Sequence, residues 1–410
     1  MKRYPVRNLL IITVLLFVSC KAGKQAAIEQ PTSESSQTSA LNAVIQANKQ
    51  KYVPDARDNV YEIKASEIDG KTVLKGFTSV SEAKRDLLAD ASRDNLQIID
   101  SITILPDATV GEEIYGVVNV SVADMRTGPD YSEEMATQLL LGAPVKVLQR
   151  RGWWRVKSAE NYVAWMPGGS FTRMTKAKFN EWIAAPKIIF TDTYGFAYEL
   201  PDETKPRYAD LVFGNMLRKT ADAGRFWKVT YPDGETAYVL KTQSREFEEW
   251  KKSVKLTEES IIEKALSLKG IPYTWGGTST KMMDCSGFSK TVFLMHGIML
   301  LRDASQQATT GIPIDISAGY DKLRAGDLMF FGRKGVNGGR DRVRHVGIYK
   351  GNLEFIHEAG KVQVSSLDPS KPHYDSLNTR EFISAVRIIG AVGTKGIWEI
   401  EKNPLYREQE

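Results

Sequence analysis

Cysteine is almost missing from this chain. Its 410 residues include two, Cys20 and Cys285, so neither a disulfide framework nor a cysteine-rich zinc module can be built. Histidine is nearly as scarce, with His296, His345, His357 and His373. Charge of one sign is also lacking: 55 basic residues against 50 acidic leave +5, and Lys2, Arg3 and Arg7 supply three of those units. Such a small excess provides no clustered basic surface to displace counterions, so no nucleic-acid partner is expected. No apolar run reaches the roughly twenty residues that cross a bilayer. What remains is a globular composition, 42% apolar and 26% charged, which excludes a mainly disordered chain. At roughly 150 residues per domain it predicts two to four packed units.

The chain opens on a basic stretch at residues 2–7, an apolar run over 9–18, and then Ser19-Cys20. That run is too short to span a membrane, so residues 1–19 read as a secretory signal. A cysteine directly after a short apolar core and a small residue resembles the bacterial lipoprotein signal, with Phe17 where that pattern usually has leucine. The resemblance implies lipidation of Cys20 and a place in the cell envelope, anchored to a membrane, with the outer membrane facing the periplasm expected. An ordinary signal peptide with a coincidental cysteine is the alternative. Residues 20–42 are rich in Ser, Thr, Gln, Ala and Lys and are expected to form a flexible tether.

Residues 43–109 show a strand pattern at 60–63, a helix pattern at 81–89 and a strand at 96–104, a small α/β unit with no assignable chemistry. From 110 to about 245, short β-rich runs are cut by Gly, Pro and Asp, and the chain repeats itself. Trp154-Arg155-Val156, followed by Tyr162-Val163, returns 73 residues later as Trp227-Lys228-Val229, followed by Tyr238-Val239. A short helical pattern follows each copy, with Phe179 and Trp182 or with Phe247 and Trp250. Two tandem small barrels account for this, over 110–175 and, with a linker helix, over 176–250. The first, with Asp124-Met125-Arg126-Thr127-Gly128-Pro129 and Gly152-Trp153-Trp154-Arg155-Val156, resembles bacterial SH3-like domains. Core packing is expected of the paired tryptophans, with an aromatic binding groove as the alternative. A last unit over 256–392 opens on a helix with Thr257 as N-cap, acidic Glu258 and Glu259 in its first turn, and Gly270 as its stop. Residues 393–410 read as a tail.

Cys285 lies in Met283-Asp284-Cys285-Ser286-Gly287-Phe288, where an apolar helix begins at or just after the cysteine. A thiol at a helix N-terminus feels unpaired amide donors that favour the thiolate and that can also stabilise an oxyanion. Taken alone, such a cysteine reads as buried and inert; the histidines change that. The segments around His345 and His357 both look like strands, joined at Lys350-Gly351-Asn352, a turn signal. A hairpin symmetric about Gly351 sets the two histidines directly opposite each other, and a bulge at the turn would shift this by one residue. His345 would then take the Cys285 proton and His357 would fix its tautomer. A metal site is the competing reading, with Asp327 or Glu358 drafted as third ligand. His296 is expected packed or at the surface near its helix end, and His373 solvated.

Five motifs in order, Pro272-Tyr273-Thr274-Trp275-Gly276-Gly277, Asp284-Cys285-Ser286-Gly287-Phe288, Arg302-Asp303-Ala304-Ser305-Gln306-Gln307, Gly326-Asp327-Leu328-Met329-Phe330-Phe331 and His345-Val346-Gly347-Ile348-Tyr349, resemble the NlpC-type cysteine peptidases of bacterial cell-wall metabolism. The resemblance implies an α+β chain with a papain-like catalytic domain behind two SH3-like β-barrels and the small N-terminal α/β unit. With those barrels, the region from about 110 resembles the γ-D-glutamyl-L-diamino acid endopeptidases. It assigns nucleophile to Cys285, base to His345 and orienting group to His357. It places the Tyr273 hydroxyl near the oxyanion and Trp275 along the substrate, and makes Asp284, Ser286 and Asp303 candidates for the dipeptide's polar groups. Glu134 and Tyr162 fall where an acid and a tyrosine of the first SH3-like domain close on the free amine of L-Ala. Ala304 departs from the hydroxyl residue often found there.

The resulting expectation is a monomeric, cofactor-free cysteine endopeptidase. It would cleave the γ-D-glutamyl-L-diamino acid bond of murein stem peptides with a free N-terminal L-Ala. A broader hydrolase of intact wall and a non-catalytic wall-binding lipoprotein are the rivals.

Overall fold

The computed structural model describes residues 36–94, 97–336 and 339–410; the expected signal, Cys20 and most of the tether lie outside the described residues. No described helix is long and apolar enough to cross a membrane. The N-terminal unit begins earlier than its composition implies, because a helix over Ser36–Tyr52 takes in the last part of the expected tether. Leu41 and Ile45 are buried on it, four residues apart, with Val44 and Tyr52 partly buried against the same cluster. Two strands, Tyr61–Ile68 and Lys71–Thr78, form a hairpin. Asp69 and Gly70 both lie in the left-handed region, as a two-residue hairpin turn requires. The helix Ser81–Arg93 then crosses over to Ile98–Ile104, which pairs parallel to the second strand.

Each β-rich repeat forms a seven-stranded sheet, one from Tyr115 to Met174 and the other from Lys187 to Glu246. In the first, Trp154 is buried as expected, with the Arg173 guanidinium 4.1 Å from its ring centre. Its counterpart Trp227 is only partly buried, with the Lys219 and Lys241 ammonium groups each 4.3 Å from the ring. The expected short helices are Lys176–Ala184 and Phe247–Ser253, and each buries its tryptophan.

The last unit opens on Glu258–Ser267, with Thr257 and Ser260 forming a reciprocal capping box. Its core is the helix Cys285–Leu294 laid on a six-stranded sheet. Phe288 and Val292 of the helix share one buried cluster with Val346, Ile348 and Ile356 of the strands Arg342–Gly351 and Glu354–Glu358. This packing carries the cysteine to the strand that bears His345. Residues 393–410 are not a loose tail: Ile397–Glu399 pairs with Ile298–Leu300, and Asn403 donates to the Ala159 carbonyl of the first β unit at 2.8 Å.

Candidate active site

Asp284 caps the Cys285 helix. Its Oδ1 accepts from the Gly287 amide at 2.7 Å and its Oδ2 from the Gly276 amide at 3.0 Å. The turn is tight enough that a Cβ on Gly287 would stand 2.0 Å from the Gly277 carbonyl oxygen. Behind the carboxylate lies Arg302, 1% exposed, which donates to both Asp284 oxygens at 3.2 and 2.7 Å, to Ser286 Oγ at 2.9 Å and to Thr137 Oγ1 at 2.8 Å. Asp284 and Ser286 are therefore not open to a substrate as expected. Their polar atoms are consumed in a buried network that positions the cysteine, anchored to the first β unit through Thr137.

The Cys285 sulfur is 8% exposed. Burial, then the Asp284 charge, push its pKa up to about 12, while hydrogen bonds from the backbone at Val346 and Ser286 and the charge of Arg302 pull the other way. The sulfur thus rests against the residue that follows His345. Among the described residues no direct hydrogen bond joins it to the His345 ring, a looseness common in ligand-free sites.

His345 and His357 do meet, but not as directly opposed residues. Gly347 stands opposite His357, so His345 is two residues further along the same face. The diagonal approach is close enough for His345 Nε2 to hydrogen-bond His357 Nδ1 at 2.8 Å. His357 Nε2 in turn bonds Ser365 Oγ at 2.9 Å, a partner on the next strand that no local motif marks. For His345 to receive the thiol proton at Nδ1, its Nε2–H must donate to His357, and the Nε2–H of His357 must donate to Ser365. Burial, then His357 and Arg344, lower the His345 pKa to about 3, and burial lowers that of His357 to about 4. Burial therefore favours the neutral forms of the thiol and of both imidazoles.

The remaining predicted residues gather around this centre. Tyr273 is half-buried, with its amide on the Gly360 carbonyl at 3.1 Å. Burial and the neighbouring Cys285, Asp284 and Glu358 raise its pKa, so the hydroxyl keeps its proton and stays a donor. Trp275 is 61% exposed, and its indole N–H donates to Glu134 Oε1 at 2.6 Å, joining the two units across the surface. Glu134 is itself exposed. Tyr162 is buried, and burial and then the neighbouring Asp303 charge raise its pKa. Asp303 also caps the helix Ala304–Gln307 and accepts from Arg57 of the N-terminal unit at 2.7 Å. His296 is buried, its ring bonded to the Val292 carbonyl and to Ser260 at 2.8 and 3.0 Å. His373 is not free in solvent; it pairs with Glu354 at 2.9 Å. Among the described residues no group of three or more His, Cys, Asp or Glu is arranged to hold a metal. Asp327, drafted for that role, is taken by Arg387 at 2.8 Å on both oxygens.

Known proteins share this arrangement in part. The model of the NlpC/P60 family matches residues 270–381, and that of the bacterial dipeptidyl-peptidase SH3 domain matches residues 125–170. A gamma-D-glutamyl-L-lysine dipeptidyl-peptidase of Bacillus cereus is 27% identical over 304 residues, which is 70% of this chain and 87% of that protein. The murein DD-endopeptidase MepS/murein LD-carboxypeptidase of Escherichia coli K12 is 32% identical over 164 residues, covering 39% of this chain and 81% of that protein. The crystal structure of an NlpC/P60 family protein from Bacillus cereus superposes with a TM-score of 0.56 at 24% identity, over 67% of this chain and 99% of that one.

Proposed function

The chain belongs to the NlpC/P60 family of peptidases that act on peptidoglycan peptides, and we propose that it is a cysteine endopeptidase for the γ-D-glutamyl-L-diamino acid bond of stem peptides whose N-terminal L-Ala amine is free. The observation that carries the specificity is Glu134: a carboxylate from the SH3-like unit, hydrogen-bonded to Trp275 of the catalytic unit at 2.6 Å and open to an incoming ammonium.

In this reading Cys285 gives its proton to His345 and attacks the γ-carbonyl carbon of D-Glu. The resulting oxyanion is met by the Tyr273 hydroxyl and the helix N-terminal amides. Collapse breaks the C–N bond, and the leaving amino group of the diamino acid takes the proton from His345. Water then attacks the thioester, with His345 as base, releasing L-Ala-γ-D-Glu and the thiol. The same reading places the protein in the cell envelope, lipid-anchored at Cys20, where released stem peptides are within reach.

The test is turnover of L-Ala-γ-D-Glu-diaminopimelate against its N-acetyl form and against intact sacculi, with Cys285→Ala as the inactive control. Because Glu134 is exposed, losing its ammonium partner costs on the order of 1 kcal/mol, so that loss should slow cleavage of the acetylated peptide at least roughly fivefold. Glu134→Gln should narrow that difference. Equal rates for wild type and Cys285→Ala would end the peptidase reading, and equal rates for the three substrates would make the protein a general wall hydrolase.

A further inference from the structure

Among the described residues, the hydrogen bonds between the N-terminal α/β unit and the catalytic unit gather around Asp303, Ser305 and Gln306. Residues 53–59 run between the first β unit and the catalytic unit, held by the Val163 amide on the Arg57 carbonyl at 2.8 Å, Lys157 on Asn59 at 3.1 Å and Gln306 on Asp58 at 3.1 Å. Out of this segment comes the Arg57 guanidinium. Asp55 grips it with both oxygens, at 2.8 Å to Nε and 2.6 Å to Nη2. Arg57 Nη1 then reaches Asp303 Oδ2 at 2.7 Å and Ser305 Oγ at 3.0 Å. A planar fork fixed at one edge by a bidentate carboxylate has little rotational freedom left, so the carboxylate at its other edge is fixed as well.

That second carboxylate lies near Tyr162 of the SH3-like unit, and its charge helps raise the pKa of the Tyr162 hydroxyl. The nearest nitrogen of Arg302 to Asp303 Oδ1 is 3.9 Å away, beyond hydrogen-bond distance. Arg57 therefore takes one oxygen of Asp303, and neither arginine hydrogen-bonds the other. The bridge is not sealed in the interior: the side chains of Arg57, Asp55 and Asp303 are 33%, 28% and 27% exposed, so a solvent-borne cation can approach.

We propose that Arg57 is a positioning residue for recognition of the substrate's free amine, and that the N-terminal unit is a working wall of the cleft. By clamping Asp303 Oδ2, Arg57 fixes a second carboxylate that, together with Glu134, meets the L-Ala ammonium. This rests on the function proposed above and on the resemblance that sets Glu134 and Tyr162 at the amine end of the substrate.

The experiment measures kcat and KM of the full chain, as wild type, Arg57→Ala and Arg57→Lys, on free and N-acetylated L-Ala-γ-D-Glu-diaminopimelate. Arg155→Ala, which removes the Arg155–Glu62 ion pair elsewhere between the N-terminal and first β units, is the control for loosened docking. Arg57→Ala should raise KM for the free peptide about tenfold, the scale of one charge-assisted contact, with kcat unchanged and the acetylated peptide unaffected. Arg57→Lys, which keeps the charge and loses the fork, should fall between, and Arg155→Ala should leave the ratio between substrates intact. An unchanged ratio in Arg57→Ala overturns the proposal, as does an equal loss of kcat on both substrates, which marks a purely structural role. If Arg57→Ala fails to fold, Arg57→Lys with a wild-type ratio overturns it equally. A wild-type protein that cuts neither peptide refutes the parent function, and the proposal falls with it.

Discussion

Arg302 offers the sharpest test of how the nucleophile is held. Arg302→Met keeps the volume of the buried side chain and removes its four hydrogen bonds, two to Asp284, one to Ser286 and one to Thr137. The Asp284 carboxylate, 8% exposed at its side chain, is left with only the Gly276 and Gly287 amides and the Ser286 hydroxyl. Breaking a buried pair from one side costs about 3–5 kcal/mol, and the abandoned Thr137 hydroxyl overlaps with that figure. A loss of about 4 kcal/mol is a large share of the 5–15 kcal/mol that typically holds a domain together. Chemistry suffers too, because Arg302 lowers the thiol pKa and Asp284 raises it, so an unopposed Asp284 depletes the thiolate. The double variant Asp284→Asn, Arg302→Met removes both charges and keeps an N-cap, and it should recover all but about 1–2 kcal/mol. Urea unfolding read by alkylation of Cys285, buried in the native state and resolved by peptide mass, measures this domain in the full chain. A single variant costing under about 1 kcal/mol, or a double variant no better than the single, would refute the account of Asp284 as one half of a buried pair.

Three further expectations follow from the same geometry. Ser365→Ala leaves a buried His357 nitrogen unpaired and the His345 tautomer unfixed, which at about 1–3 kcal/mol should lower kcat by roughly 10- to 100-fold with KM little changed; a wild-type kcat would remove Ser365 from the relay. Glu358, fully buried with no partner on either oxygen, has its pKa raised to about 7, by burial and then by Asp284. The unfolded chain releases that proton near the ordinary carboxylate value while the folded one retains it, so folding is penalised progressively from about pH 4.5 to about pH 7. Glu358→Gln should therefore gain stability over wild type across that window and gain none below it, as melting at a series of pH values will report. Since burial lifts the Cys285 pKa to about 12, iodoacetamide should alkylate the ligand-free protein about tenfold faster per pH unit from about pH 7 to about pH 10; a plateau already reached at pH 6 would mean a standing thiolate–imidazolium pair.

What the sequence conceals is set by distance along the chain. The Cys285 helix and the Thr257 cap are legible because each depends on neighbours within four residues. The Ser36–Tyr52 helix escapes because its buried stripe is thin and its average composition is that of a linker. Arg302 sits inside a quoted motif, yet its role needs Thr137, 165 positions away, and Arg57 needs Asp303, 246 positions away. A lone arginine in a polar segment carries no local mark of such a partner. The same holds for Asp284 and Ser286, whose expected contact with substrate gave way to a guanidinium that only the tertiary fold supplies.

The histidine pair shows how a wrong register can still deliver the right contact. The turn is centred not on Gly351 but between Asn352 and Leu353, both in the left-handed region, with Gly351 opposite Glu354. Relative to a hairpin centred on Gly351, that displacement moves the pairing by three residues, an odd number that would have put the two rings on opposite faces of the sheet. A bulge between Tyr349 and Gly351 takes one residue back. The net shift is two, and because strand side chains repeat every two residues, His345 and His357 return to one face and meet along the diagonal. Face parity, not direct opposition, is what the contact requires. Lys350 is thus the extra residue that the bulge absorbs: deleting it keeps Tyr349 opposite Phe355 and Gly347 opposite His357, so the imidazoles should stay in contact and kcat should persist, whereas deleting Val346 should turn His345 to the other face and abolish turnover.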